Sequence, residues 1–231
     1  MLSVNNKKNL KIIFFGEKNN LNSIKAVNFL KKKFKKVITI LEENKIGTKF
    51  NGSKYNNFDI ILTYRTKIIL PKTFIKKARL FAINFHNSLP KYPGSGGLSW
   101  SIVNEDIEAG ITAHFLNEKI DNGKIIYIKK FKISKNIDIN KLTLKSEKKH
   151  LQTFYYVMEN IFIEKWINTN IKKFSSYFWN GKAKKISLLN KKRIISIKIK
   201  KKSLENIIRA TCYKKYKPYI KLFGYKFELK C

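Results

Sequence analysis

Three polar side chains in two separated segments have the types needed to move an acyl group: Asn84 and His86 in INFHNSLP, and Asp121 in IDNG. An amide that donates hydrogen bonds beside a cationic imidazole suits a developing oxyanion. A carboxylate within reach of that imidazole orients it and favours its charged form. The implied chemistry is acyl-type transfer through a tetrahedral intermediate, with no serine or cysteine nucleophile needed.

The elements that must position these residues are legible around them. Asn84 and His86 are two apart, so on an extended strand they share a face and Phe85 takes the other. The apolar LFAI reads as a buried strand leading into them, and NSLPKYPGSGG reads as a loop. The pair therefore falls at the C-terminal end of a strand, where open α/β sheets bind ligands. Asp121 comes roughly thirty-five residues later, after a second strand-like segment, GITAHFL. If those two strands are neighbours, the carboxylate reaches the imidazole.

Earlier in the chain, LKIIFF (residues 10–15) reads as a first buried strand, with Gly16 beginning the turn after it. Leu21, Ile24, Val27, Leu30 and Phe34 recur at helical spacing, and VITIL (37–41) completes a βαβ unit. The lysines between 31 and 36 read as a solvated helix end. Only Gly16 follows the first strand, so a dinucleotide fingerprint is absent, which counts against a dehydrogenase. DIIL (59–62) reads as a third strand, and Pro71 as the start of a short helix. The glycines of PGSGG form either an anion-binding nest or a sharp turn before the helix LSWSIVNE; the residues alone favour the turn. His114, a lone histidine on GITAHF, is by its pattern an ordinary structural histidine. KIIYIKKFKI alternates as a half-exposed edge strand does. Residues 140–167 are expected to be helical, with an apolar and aromatic stripe from Leu151 to Phe162. After the loop FWNGKAKK come a strand-like RIISIKIK, the helix SLENIIRATCYK and a hairpin about Gly224.

The composition sets bounds. With 231 residues and 43% hydrophobic residues, the chain can bury a sizeable core. No apolar run approaches the roughly twenty residues of a membrane span, and the start is too short and too β-branched for a signal peptide; the expectation is a cytoplasmic protein with no membrane insertion. Cys212 and Cys231 make neither a disulfide framework nor a zinc site, and no metal is expected. The formal net charge of +35 suggests a polyanionic partner such as tRNA. However, lysines are spread along the whole chain together with an excess of Asn and Ile, so the charge marks no particular face.

The run NFHNSLP-KYPG, the spacing to GITAHF and the closing IDNGKII together resemble the folate-dependent formyltransferases, which include methionyl-tRNA formyltransferases, glycinamide ribonucleotide transformylases and sugar N-formyltransferases. The chain matches the family pattern at Asn84, His86, Ser88, Leu89, Pro90, Gly94, Asp121 and Gly123. It has one leucine before the proline where most relatives have two. The resemblance implies a Rossmann-like α/β fold, a mostly parallel sheet flanked by helices. The catalytic domain would span residues 8–170, and a small C-terminal α+β appendage residues 171–231. It also implies 10-formyltetrahydrofolate as co-substrate, with Asn84, His86 and Asp121 catalytic. Donor contacts would fall at Lys67, Ile68, Ile69, Ser88, Pro90 and Asn117. On the residues alone, Lys67 to Ile69 are an equally good apolar connection. Acceptor contacts would fall at Gly16, Phe85, Asn87 and His114; glycinamide ribonucleotide transformylases also carry a histidine at the place of His114.

For the acceptor, a small-molecule primary amine, the resemblance favours a nucleotide-linked amino sugar. The roughly sixty residues after the long helix are too few for the C-terminal barrel of methionyl-tRNA formyltransferases. The ending IIRATCYKKYKPYIKLFGYKFEL is similar to the tail of many sugar N-formyltransferases. A methionyl-tRNA acceptor, or a non-catalytic folate- or RNA-binding relative, is the alternative. Edge strands and the terminal hairpin leave a homodimer open.

Overall fold

The computed structural model describes residues 7–43, 47–213 and 216–230. The β-branched and aromatic run at the start forms β1 (Lys11–Glu17), whose Ile12 to Phe15 have no solvent exposure. Gly16 lies inside this strand, which runs on to Glu17, so the turn begins later than its sequence suggests. Helix α1 (Leu21–Lys33) starts where the Asn20 side chain accepts the Ser23 N–H and ends in three lysines, whose charge suits the C-terminal pole. It leads to β2 (Lys36–Glu42), parallel to β1.

Two short strands, β3 (Thr48–Lys49) and β5 (Ile68–Ile69), pair with each other outside the main sheet. Between them β4 (Phe58–Tyr64) is buried along its whole length, as a central parallel strand must be. After the single-turn α2 (Lys72–Ile75), β6 (Ala78–His86) joins β4 in parallel. Helix α3 (Gly97–Val103) then separates β6 from β7 (Glu108–Phe115) and β8 (Ile125–Lys132), which are both antiparallel to their neighbours. The six strands stand in the order β2-β1-β4-β6-β7-β8, so the chain reverses direction across the sheet between β1 and β4, and β8 is an edge. The fold is α/β with a mainly parallel central sheet.

Each face of the sheet has its own core. Ile12, Phe14, Leu62, Tyr64, Ile83 and Phe85 pack against α1 and against α4 (Ile139–Asn160), which offers Phe154, Val157 and Met158 from one stripe. On the other face Ile13, Phe15, Ile61, Ile68 and Phe74 form a second cluster. Fully burying each such side chain contributes about 1.5–3 kcal/mol. The helix expected to continue to residue 167 stops at Asn160 and resumes as α5 (Glu164–Lys173), with no proline or glycine marking the break.

Beyond α5 lie α6 (Ile186–Lys192), α7 (Lys201–Thr211) and the hairpin of β9 (Tyr219–Leu222) and β10 (Tyr225–Glu228), turning at Phe223 and Gly224. RIISIKIK does not form a strand; among the described residues it makes one bridge, Ile194 to Tyr219. This C-terminal part is tied to the sheet unit by Asn206 Nδ2 donating to Glu105 Oε1 at 2.8 Å and Arg209 Nη1 donating to the Ile137 carbonyl at 3.1 Å. Cys212 is disulfide-bonded, which corrects the expectation for that residue, whereas Cys231 lies outside the described residues. Among the described residues no helix is long and apolar enough to cross a membrane.

Candidate active site

The antiparallel register of β6 and β7 sets Asn84 opposite His114 and His86 opposite Thr112. The pleat sends Asn84, His86 and His114 to one face, and the turn after β7 returns Asp121 onto that face. The carboxylate meets four partners. Oδ1 accepts Asn84 Nδ2 at 3.0 Å and lies 3.4 Å from His114 Nε2. Oδ2 accepts the Gly94 N–H at 2.8 Å and lies 3.2 Å from His86 Nδ1. All three residues expected to be catalytic are thus brought together, and His114 joins them.

Burial of Asp121, only 9% exposed, pushes its carboxyl up. The charge on His86, the hydrogen bond and charge of His114 and the Gly94 N–H outweigh that effect and hold the carboxyl below the usual carboxylate range. Asp121 is therefore ionised at neutral pH. Its backbone is left-handed, φ 43°, a conformation that costs an aspartate about 1–2 kcal/mol and that the surrounding bonds hold in place. Gly123 makes this turn possible: a Cβ there would lie 1.6 Å from the Phe115 carbonyl oxygen.

The donors expected to face an oxyanion are engaged within the protein. Thr63 Oγ1 donates to Asn84 Oδ1 at 2.7 Å, which fixes the amide orientation. The two Asn84 amide hydrogens then face Asp121 Oδ1 and His114 Nε2, each at 3.0 Å. His114 Nδ1 lies 2.8 Å from the Phe115 carbonyl, and its Nε2 stands between Asn84 Nδ2 and Asp121 Oδ1. His86 lies between Asp121 Oδ2, 3.2 Å from Nδ1, and the Tyr92 carbonyl, 3.0 Å from Nε2. Polar groups this deeply buried find partners in each other.

The other expected site residues are distributed as follows. Asn117 lines an open cleft of about 400 Å³ with Lys72, Ile75, Lys76, Leu116, Glu118, Lys119 and Asn122, the last being next to Asp121 in the chain. Ile68 lies in the apolar cluster against which Ile75 and Leu116 also pack, so it backs the cleft from the core side. Ile69 pairs with Lys49, and Lys67 Nζ lies 3.4 Å from Glu17 Oε1. Ser88 is buried, its hydroxyl within 3.0 Å of the Leu89 and Tyr92 carbonyls, and the Pro90 carbonyl accepts the Asn180 N–H. These two residues brace the loop between β6 and α3. Asn87 accepts from Ser146 on α4. Gly16 is within β1, and the Phe85 side chain is in the core on the opposite face, 4.8 Å from the Phe154 ring. Alternation along β6 thus turns the Phe85 side chain away from Asn84 and His86.

Sequence reading missed Thr63, Tyr92 and Trp179. Thr63 had a readable signal, since it lies near the C-terminal end of a buried strand as Asn84 does in the next, and the two are register partners. Trp179, from the loop after α5, lies edge-on to both imidazoles, 4.8 Å from His114 and 5.6 Å from His86, and no local pattern announces it.

The Asp121 carboxylate thus gathers an amide and two imidazoles at the C-terminal end of β6, on an α/β sheet. The sequence profile described as formyl transferase matches residues 17–158, and the chain belongs to that family. A methionyl-tRNA formyltransferase of Mycoplasmopsis pulmonis is 29% identical over 126 residues, 54% of this chain and 44% of the relative. The chain thus spans less than half the length of that relative. Among solved structures, a sugar N-formyltransferase from a Shewanella species has a TM-score of 0.71 at 16% identity, covering 96% of this chain and 97% of the other. An N-formyltransferase from Helicobacter canadensis, in complex with folinic acid and dTDP-3-aminofucose, has a TM-score of 0.63 at 20% identity, covering 94% and 86%. At such identities these likenesses show the fold.

Proposed function

We propose that the chain transfers a formyl group from 10-formyltetrahydrofolate to the primary amine of a nucleotide-linked amino sugar. The observation that carries the reaction class is the convergence of Asn84, His86 and His114 on the ionised carboxylate of Asp121. The cleft beside Asp121 suits the donor: at about 400 Å³ it is within the range of small-molecule sites, and Ile75 and Leu116 supply apolar wall beside the amides of Asn117 and Asn122. The donor supplies an activated formyl carbon on nitrogen. His86, held by Asp121, and the Asn84 amide stabilise the oxyanion that forms as the neutral amine attacks. Removing such a donor costs on the order of 10²- to 10³-fold. Asp121, directly or through water, relays the proton of the attacking amine toward the departing folate nitrogen, worth roughly 10²- to 10⁴-fold. Because His86 Nε2 faces the Tyr92 carbonyl and both Asn84 amide hydrogens face Asp121 and His114, a formyl oxygen gains these donors only when those contacts shift.

The amino-sugar acceptor is supported by end-to-end likeness to sugar N-formyltransferase structures, C-terminal segments included. A methionyl-tRNA acceptor is the second reading, favoured by the sequence relatives and the +35 charge. The test is a transfer assay with 10-formyltetrahydrofolate against separate pools of nucleotide-linked 3-amino and 4-amino sugars, charged methionyl-tRNA and glycinamide ribonucleotide. Release of tetrahydrofolate with a sugar pool is expected. Turnover with charged tRNA alone would replace the sugar by tRNA, and no transfer to any amine would overturn the reading.

A further inference from the structure

We propose that Trp179 is a positioning residue for the transfer reaction, and that residues 179–184 hold the His86–Asp121 pair in working geometry from outside the segment matched by the family profile. The inference rests on the formyl-transfer reading for its kinetic effect.

The geometry comes from both chain directions around Asp121. Two residues after it, the Gly123 carbonyl accepts Trp179 Nε1–H at 2.8 Å, which pins the end of the turn. The same indole stands edge-on to His114 and His86, with interplanar angles of 74° and 69°, covering the two imidazoles that Asp121 pairs with. From the other side, Gly94 donates to Asp121 Oδ2, and Gly94 is itself held in a parallel bridge to Lys184. Lys184 N–H donates to the Pro93 carbonyl at 2.9 Å, Ser95 N–H to the Lys184 carbonyl at 2.8 Å, and Asn180 N–H to the Pro90 carbonyl at 3.0 Å. Gly94 has φ 84°, and a Cβ there would lie 2.4 Å from the Lys184 backbone nitrogen. The Lys184 ammonium caps the contact, 4.5 Å from the Trp100 ring centre.

The segment therefore holds the turn that carries Asp121 through the Trp179–Gly123 bond, holds the Gly94 donor through the Lys184 bonds to Pro93 and Ser95, and covers the imidazole partners of the carboxylate. Charge pairs strengthen as water is excluded, and displacement of a reacting group by about 1 Å costs roughly 10²-fold in rate. The matched family segment ends at residue 158, so Trp179 is not part of it.

The experiment combines kinetics with a readout that needs no substrate. Trp179→Ala should lower kcat roughly 10- to 100-fold, leave both KM values near wild type, and move the acid limb of the pH–rate profile. Trp179→Phe, which keeps a ring and loses the N–H, should fall between. Phe178→Ala, at a neighbour 78% exposed, should match wild type. The chain has only three histidines, so each can be followed by ¹⁵N NMR titration of histidine-labelled protein. Trp179→Ala or Trp179→Phe should shift the titration curves of His86 and His114 and leave His150 unchanged. That shift is read whether or not an acceptor has been found, so it separates failure of this inference from failure of the transfer reading. Unchanged titration curves and unchanged kcat in the folded variants would overturn it.

Discussion

Asn84 donates its side-chain amide to Asp121 at 3.0 Å, and it is oriented to do so by a hydroxyl from the neighbouring strand. A base and a donor that touch each other must keep opposite characters, one ionised and one neutral. Asn84→Asp is therefore expected to do more harm than loss of a hydrogen bond. Two carboxylates at this distance cannot both ionise freely, so one of them is raised. Transfer activity should fall on the order of 10²- to 10³-fold. Since a carboxyl raised in the folded state holds its proton, the variant's stability relative to wild type should be highest at low pH and decline as pH rises, measured by urea unfolding at pH 5 and pH 8.

Thr63→Val tests the orientation of that amide. The valine keeps the volume and removes the hydroxyl that donates to Asn84 Oδ1 at 2.7 Å. Stability should drop by about 1 kcal/mol, with a further loss in kcat that exceeds any change in KM. Equal kcat in the variant would show that the amide holds its orientation without Thr63.

His150 sets a pH dependence of stability. It is fully buried under Tyr64, with rings 4.2 Å apart, and donates Nε2–H to the Phe85 carbonyl at 2.9 Å. Burial, aided by the charge of Arg65, pushes it down to about 3. With the unfolded histidine near 6.5, the unfolded chain binds the extra proton between the two values, so stability is lost as pH falls below about 6.5. His150→Gln should flatten the change in urea midpoint between pH 7 and pH 5. A slope identical to wild type would assign it to other groups.

Gly123→Ala places a methyl group 1.6 Å from the Phe115 carbonyl oxygen and 3.2 Å from His114 Nδ1. Relief requires moving the turn that carries Asp121 or the carbonyl that fixes His114. The substitution should cost more than about 3 kcal/mol, or abolish activity in whatever protein folds. Thermal unfolding and a transfer assay on the folded fraction check both outcomes.

Much of this arrangement was legible because it is locally encoded. Alternation in NFH placed Asn84 and His86 on one face and Phe85 on the other, and the Asp-x-Gly turn delivered Asp121 where an adjacent strand required it. What escaped was set by distant partners. RIISIKIK alternates like a strand but has no sheet edge to join beyond one bridge at Ile194. The long helix breaks after Asn160 without a breaker residue, where Ile161 turns into the core and α5 redirects toward β8. Trp179 follows an exposed phenylalanine in a short aromatic run, and its contact with Gly123 across the fold leaves no periodic trace.

The bridge between Gly94 and Lys184 joins residues about ninety positions apart, and through Gly94 it reaches the carboxylate. Closing a loop of that length costs entropy that local contacts cannot repay early, so such pairings form late in folding. On the ribosome the sheet from β1 to β8 can assemble as it emerges, while Asp121 waits for a segment made well after α4. The contacts around Asp121 are then completed after the sheet, and a chain that stops short of residue 184 lacks the strap at this site.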